Sequence, residues 1–258
     1  MILKLEDCSF SYTDNKPILT NISFSLKQGE VLAIMGCNGI GKTTLLKCIA
    51  GILKWDRGTC IFDGQNMIHT KRIKNIGYVP QARKLPFSYL VKDLVVFGRN
   101  GTGSYFQSPG KEDYEIVDNI LNDLGIYHLK NRYCNELSGG QLQMVFIAKA
   151  LSSFPKLLIL DEPESHLDFY NQFKVLMIIK DLAKKRGISA IINSHYPNNI
   201  MKIADKCLLL NKDKYTYGDT KTIMTEETIK DYFYVDSKLI DMNYFNQNIS
   251  SFVFLGTC

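Results

Sequence analysis

The stretch GCNGIGKTT, residues 36–44, constrains the fold of this chain more than any other nine residues. It fits the pattern GxxxxGK[ST], follows the apolar run VLAIM and opens TTLLKCIAG, a helical pattern that Gly51 closes. A buried strand feeding a glycine loop that opens a helix is the arrangement in which backbone N–H groups converge on phosphate. Gly36, Gly39 and Gly41 permit the curl, so the loop Gly36, Cys37, Asn38, Gly39, Ile40, Gly41, Lys42, Thr43 and Thr44 is expected to wrap a polyphosphate. Lys42 is expected to reach the terminal phosphates, and the Thr43 hydroxyl to ligate magnesium.

Other apolar runs repeat the pattern of that first strand. NIGYVP, KLLILDEP, ISAIINSH and KCLLLN each end in a turn or an acidic residue, and helical stretches separate several of them. Buried strands alternating with helices predict an α/β chain with a mainly parallel sheet covered on both faces. A long helix is expected through FYNQFKVLMIIKDLAKKRG, with Phe169, Phe173, Leu176, Ile179 and Leu182 on one stripe, a basic last turn and Gly187 as its stop. Between about 84 and 156 the pattern turns helical without buried strands, which reads as a helical insertion; the polar loop GRNGTGSYFQSPGK divides it and is expected at the surface. The last segment, MNYFNQNISSFVFLGTC, specifies little, since its aromatics suit either the domain or a partner.

Composition narrows the class. A hydrophobic fraction of 45% over 258 residues supports a well-buried core. The formal charge of +5 comes from dispersed lysines, so no nucleic-acid footprint is expected. Seven cysteines, Cys8, Cys37, Cys48, Cys60, Cys134, Cys207 and Cys258, form no CxxC pair and read as free thiols of a reducing compartment. No apolar run is long enough to span a bilayer and the amino terminus holds no signal-peptide core, so a cytoplasmic chain is expected.

Two further stretches carry chemistry. LDEPESHLDF, residues 160–169, holds Asp161, Glu162, Glu164 and Asp168 just after a buried strand. Asp161 at the strand end is the acidic partner that a phosphate loop needs for its metal, and Glu162, pointing differently, is placed to polarise a water for in-line attack on the terminal phosphate. LSGGQLQ puts Ser138, Gly139, Gly140 and Gln141 at the start of a helix, where exposed N–H groups and the helix dipole favour an anion. A second phosphate-binding element cannot easily serve the same nucleotide within one subunit, so a partner subunit is implied.

Together the phosphate loop, YVPQ (78–81), LSGGQ, LLILDEP and NSH stand in the order and spacing of a known family: from residue 2 to about 235 the chain resembles the ATP-binding subunit of ATP-binding-cassette transporters. The resemblance implies a P-loop NTPase, RecA-like core with an antiparallel β-subdomain and an inserted α-helical subdomain, spanning 1–235, with 236–258 as a carboxy-terminal extension. It implies ATP and Mg2+ as ligands, Gln81 as the residue that senses the metal and couples to a membrane partner, His195 as a contact to the terminal phosphate, Tyr12 as the aromatic stacked on adenine, and Asp168 as part of a loop crossing a dimer interface. The partners it implies are a second copy of the chain sandwiching two ATP molecules, integral membrane permease subunits and, indirectly, an extracytoplasmic substrate-binding protein. Its expected place is the cytoplasmic face of the membrane.

Two positions depart from the family pattern. Glu164 stands where threonine is usual, and an extra carboxylate there either raises the pKa of Glu162 by like-charge repulsion or, as the plainer expectation, faces solvent with little effect. Leu142 stands where a polar residue commonly follows LSGGQ. VVFGR (95–99), the DEPxSHLDFxNQ stretch and LLLNKDKYTYGD most resemble ATPases of iron-siderophore, haem and cobalamin importers, with the molybdate and tungstate branch as the alternative. A soluble regulatory ATPase is the reading from another class; it should have lost Glu162, His195 or a signature glycine, and all are present.

Overall fold

The computed structural model describes residues 1–13, 16–68, 74–81, 87–101, 109–244 and 247–257. Along the chain run β1 (Leu3–Ser11), β2 (Pro17–Leu26), β3 (Val31–Met35), α1 (Lys42–Ile49), β4 (Arg57–Phe62), β5 (Gln65–Asn66), β6 (Ile76–Val79), α2 (Val91–Val96), α3 (Lys111–Asp123) and α4 (Gly139–Leu151). They are followed by β7 (Leu157–Asp161), α5 (Phe169–Arg186), β8 (Ser189–Asn193), α6 (Pro197–Ile203), β9 (Lys206–Leu210), β10 (Tyr215–Asp219), α7 (Thr220–Ile223), α8 (Glu226–Phe233), β11 (Val235–Tyr244) and β12 (Gln247–Thr257).

The five runs read as buried strands join β10 in one six-stranded sheet, in the order β10-β9-β3-β8-β7-β6, parallel throughout except for β10 at its edge. Strand alternation divides the interior into two cores. Val31, Ala33 and Met35 of β3 face the helical segments and α5, whereas Leu32 and Ile34 face α1 and the antiparallel sheet β2-β1-β4-β5. β7 does the same, with Leu158 and Leu160 on one face and Leu157 and Ile159 on the other. Every residue of β3, β7 and β8 is buried, so both sheet faces are covered.

The helical insertion packs α2 against α3 and α4. Its polar loop falls partly on 102–108, outside the described residues, as do 84–86 and Cys258. The start of that loop is not a surface coil. Residues Phe97–Gly101 form a 3-10 turn in which a Cβ on Gly98 would stand 2.1 Å from the Lys149 carbonyl oxygen of α4, and Arg99 Nε donates to Asp113 at 3.0 Å.

α5 begins and stops where expected, with Gly187 at φ 67, and Leu176, Ile179 and Leu182 of its expected stripe are buried, but Phe169 and Phe173 are not. Val175, Leu176, Ile179, Leu182 and Ala183 are buried, while Phe169 is 90% exposed and Phe173 52%. Among the described residues, Phe173 is instead covered on one face by Lys202, whose Nζ lies 5.7 Å from its ring centroid. The last segment forms the hairpin β11–β12, whose Phe252 is buried in the core and whose backbone is held by Asn198 of α6. The six described cysteines are free thiols, and no helix among the described residues is long and apolar enough to cross a membrane.

Candidate functional site

The glycine loop between β3 and α1 is shaped by close approach. Gly36 sits at φ 144, and a Cβ there would lie 2.3 Å from the Leu210 carbonyl oxygen of β9. Gly39, at φ 78, has nothing within 4 Å of its would-be Cβ, which leaves an open concave face. α1 starts without any side-chain cap, so the N–H groups of its first turn are left for an anion. Lys42 is only 5% exposed, and its Nζ donates to the carbonyl oxygens of Gly36 and Cys37, both at 2.8 Å. Burial lowers its pKa; among the described residues no carboxylate is bonded to it, and the ammonium is held ready for an incoming negative charge.

Tyr12 is exposed above this loop, edge-on to Phe10 with ring centroids 5.0 Å apart and its hydroxyl 3.2 Å from Thr44 Oγ1. With Ile18, Asn38, Gly39, Lys42, Thr43 and Glu162 it lines an open cavity of about 250 Å3. Ile40 instead packs on the core, and the Cys37 thiol donates to the Tyr232 carbonyl oxygen at 3.3 Å.

Asp161, last residue of β7, is 7% exposed. Its Oδ1 accepts from Thr43 Oγ1 at 3.1 Å and from Asn193 Nδ2 at 2.7 Å, and its Oδ2 from the Tyr78 hydroxyl at 3.4 Å. A hydroxyl and a carboxylate at the mouth of a phosphate-shaped loop suit magnesium, which takes one or two protein oxygens and fills the rest with water and phosphate. The donor set fits Mg2+.

Glu162 turns away from Asp161 because its backbone is left-handed, at φ 51, a conformation that costs a non-glycine residue about 1 kcal/mol. Its N–H is tied to the Asn193 carbonyl oxygen at 3.1 Å. The carboxylate bridges two other segments: Oε1 lies 2.9 Å from His195 Nε2, and Oε2 accepts from Gln81 Nε2 at 3.0 Å. Ser165 Oγ also accepts from Gln81, at 3.2 Å, and donates to the Glu162 carbonyl oxygen. Gln81, Glu162, Glu164, His166, His195 and Tyr196 line a second cavity of about 200 Å3. Glu162 is common to both cavities.

Glu164 does not face solvent. It is 1% exposed, its carboxylate accepts from the Ser194 hydroxyl, and burial first of all, with help from the Glu162 charge, pushes its pKa up to about 7. The loop after β7 is tied to the end of β8 by the Glu162 N–H bond to the Asn193 carbonyl oxygen and by the Ser194 bond to Glu164.

The remaining expected residues stand apart. Ser138, Gly139, Gly140 and Gln141 line neither cavity. Ser138 and Gln141 form a reciprocal cap, Gln141 N–H to Ser138 Oγ at 3.3 Å and Ser138 N–H to Gln141 Oε1 at 3.1 Å. Gly140 is small for a packing reason: a Cβ there would lie 2.7 Å from Asn171 Cγ of α5. Asp168 caps α5, accepting from Asn171 N–H at 2.8 Å and Asn171 Nδ2 at 2.7 Å, bonds that hold its carboxyl below the usual range. Leu142 is buried.

Sequence reading assigned no role to Tyr78, Asn193, Ser165 or Ser194, all of which hold the two carboxylates or their neighbours. Asn193 and Ser194 carried a signal, two adjacent polar residues closing the apolar run AII; Ser165 carried none.

The ABC transporter family model matches residues 19–165. Among curated relatives the chain is 36% identical over 233 residues to a molybdate import ATP-binding protein of Haemophilus influenzae, covering 90% of this chain and 88% of the relative. It is 40% identical over 242 residues to an uncharacterized ABC transporter ATP-binding protein of Methanocaldococcus jannaschii, covering 92% and 93%. Among solved structures, it superposes with a TM-score of 0.89 and 35% identity, over 98% of this chain and 97% of the other, on a chain from a structure described as a metal-chelate type ABC transporter in an inward-facing conformation.

Proposed function

The chain belongs to the ABC transporter family and is an ATPase of that family, and from this premise we propose that it powers import of a metal chelate of the iron-siderophore, haem or cobalamin class across a membrane. The observation that carries the ATPase part of this reading is Glu162, held between His195 and Gln81 at the wall of the phosphate-loop cavity; the cargo class is supported by the 35% identity to a chain of a metal-chelate type ABC transporter. At the coarser level it is the ATPase subunit of an importer of metal-related substrates, as its relatives include molybdate and iron chelatin ATP-binding proteins. The molybdate relative favours an oxyanion cargo as the second reading.

In the proposed mechanism the N–H groups of the loop and Lys42 bind the phosphates, and Tyr12 takes the adenine. Thr43 and Asp161, with Gln81, would hold Mg2+, which when bound offsets charge on the phosphate oxygens. Glu162 accepts a hydrogen bond from the attacking water, and His195 and Gln81 fix its carboxylate in line. Water oxygen then bonds to the terminal phosphorus as the bond to the ADP oxygen breaks. The residues Ser138 to Gln141 meet the nucleotide of a second copy, and permease subunits dock near Gln81. ATP drives closure only through tighter binding to the closed pair.

The test is cellular uptake of iron, cobalt, molybdenum and tungsten in a strain lacking the protein, rescued with wild type or Glu162→Gln. A deficit in iron or cobalt restored only by wild type is expected. A deficit confined to molybdenum or tungsten would replace the cargo, and rescue by Glu162→Gln would remove Glu162 as the motor.

A further inference from the structure

Glu164 is the one carboxylate at the site that hydrolysis, as described, does not use. It is 1% exposed, and its Oε2 has no hydrogen-bond partner among the described residues. Its Oε1 accepts from Ser194 Oγ, and the same hydroxyl accepts from the Tyr196 N–H at 3.1 Å. Ser194 N–H is bonded in turn to the Ile34 carbonyl oxygen of β3 at 3.2 Å. The two residues that flank His195 are therefore tied through one hydroxyl to one buried carboxylate. His195 meets Glu162, two residues before Glu164.

We propose that Glu164 is a positioning residue for ATP hydrolysis: through Ser194 it sets His195 against Glu162, and its charge strengthens Glu162 as an acceptor for the attacking water. Threonine, usual at this position in the family, is too short to make the same link and carries no charge. The proposal rests on the reading of Glu162 given above.

A buried carboxylate is expensive unless a partner compensates it, and Glu164 has only one side satisfied. Burial holds its proton until about pH 7. The titratable groups facing it are Glu162 and His166 on its own loop and His195 and Tyr196 on the segment after β8, all lining the same cavity. Ser194 can donate to a carboxylate, a carboxylic acid or an amide carbonyl, so protonation changes the charge behind Glu162 and leaves the link in place.

The experiment is steady-state ATP hydrolysis by the purified full chain and by Glu164→Gln, Glu164→Thr, Ser194→Ala and Glu162→Gln, across about pH 6 to 8. The wild type is expected to gain about threefold to tenfold in kcat as Glu164 ionises. Glu164→Gln keeps the link and should lose that gain with KM for ATP unchanged; Glu164→Thr and Ser194→Ala should lower kcat at every pH. Nucleotide binding and thermal unfolding of each variant report folding separately. A Glu164→Gln profile superimposable on wild type, with Glu162→Gln inactive, overturns the role of Glu164 alone. Full turnover by Glu162→Gln overturns the reading beneath it.

Discussion

Glu164 shows how one buried group can work against stability while serving a site. An ordinary glutamate titrates near 4.5, and this one at about 7, so between those values the folded form binds the proton more tightly than the unfolded chain. Stability is then unaffected below 4.5, falls as pH rises through the window, and above 7 carries a cost of about 3 kcal/mol. Glu164→Gln should therefore unfold at higher urea than wild type at pH 8 and at nearly the same urea at pH 4; equal midpoints at both would contradict the burial argument. Lys42 makes the complementary case. Among the described residues its ammonium is bonded to loop carbonyls alone, at 2.8 Å, so Lys42→Ala should fold, yet lose nucleotide affinity by at least about 100-fold in calorimetry. The loop residues, Asp161 and Glu162 were legible because each follows an apolar strand that fixes its place. Glu164 was not, since nothing in a string of carboxylates tells which one the chain folds over.

Helices and strands repeat that lesson one level up. Five apolar runs named five of the six strands of the main sheet, because a strand covered on both faces has no polar alternation to confuse it, and the partly exposed edge strand β10 was missed. On α5 the stripe holds at Leu176, Ile179 and Leu182 and fails at Phe169 and Phe173, because spacing locates a face and does not say how far along the helix that face is covered. Gly140 gives the crossing of α4 over α5 a sharp test. Asn171, pinned by Asp168, fills the space a methyl group would need, so Gly140→Ala should cost about 1–3 kcal/mol in chemical denaturation, whereas a neutral effect would mean that Asn171 is free to turn. The hairpin β11–β12 escaped sequence reading because two strands alone are marginal and its anchors lie elsewhere. Asn198 bonds both backbone groups of Phe252, at 3.1 and 2.7 Å, and Asn198→Ala should speed hydrogen exchange in β12 while leaving α1 unchanged.

Over the whole molecule, the parts proposed to make a nucleotide site divide into two groups. The phosphate loop, Asp161, Glu162, Gln81 and His195 converge, while Ser138 to Gln141 and Asp168 stay outside both cavities, with Ser138 and Asp168 capping their own helices. A second copy supplying the missing side is the proposed completion. Gly139 has room, with Leu167 no closer than 3.5 Å to its would-be Cβ, so Gly139→Asp should fold and bind ATP as a monomer. The added carboxylate would then repel the partner's nucleotide, and sedimentation should show no ATP-driven dimer. Turnover in the proposed mechanism depends above all on Glu162. The most direct measurement is ATP hydrolysis by Glu162→Gln beside wild type, with nucleotide affinity measured on the same samples: turnover reduced by at least about 100-fold at unchanged affinity is predicted, and turnover equal to wild type would show that another group orients the water.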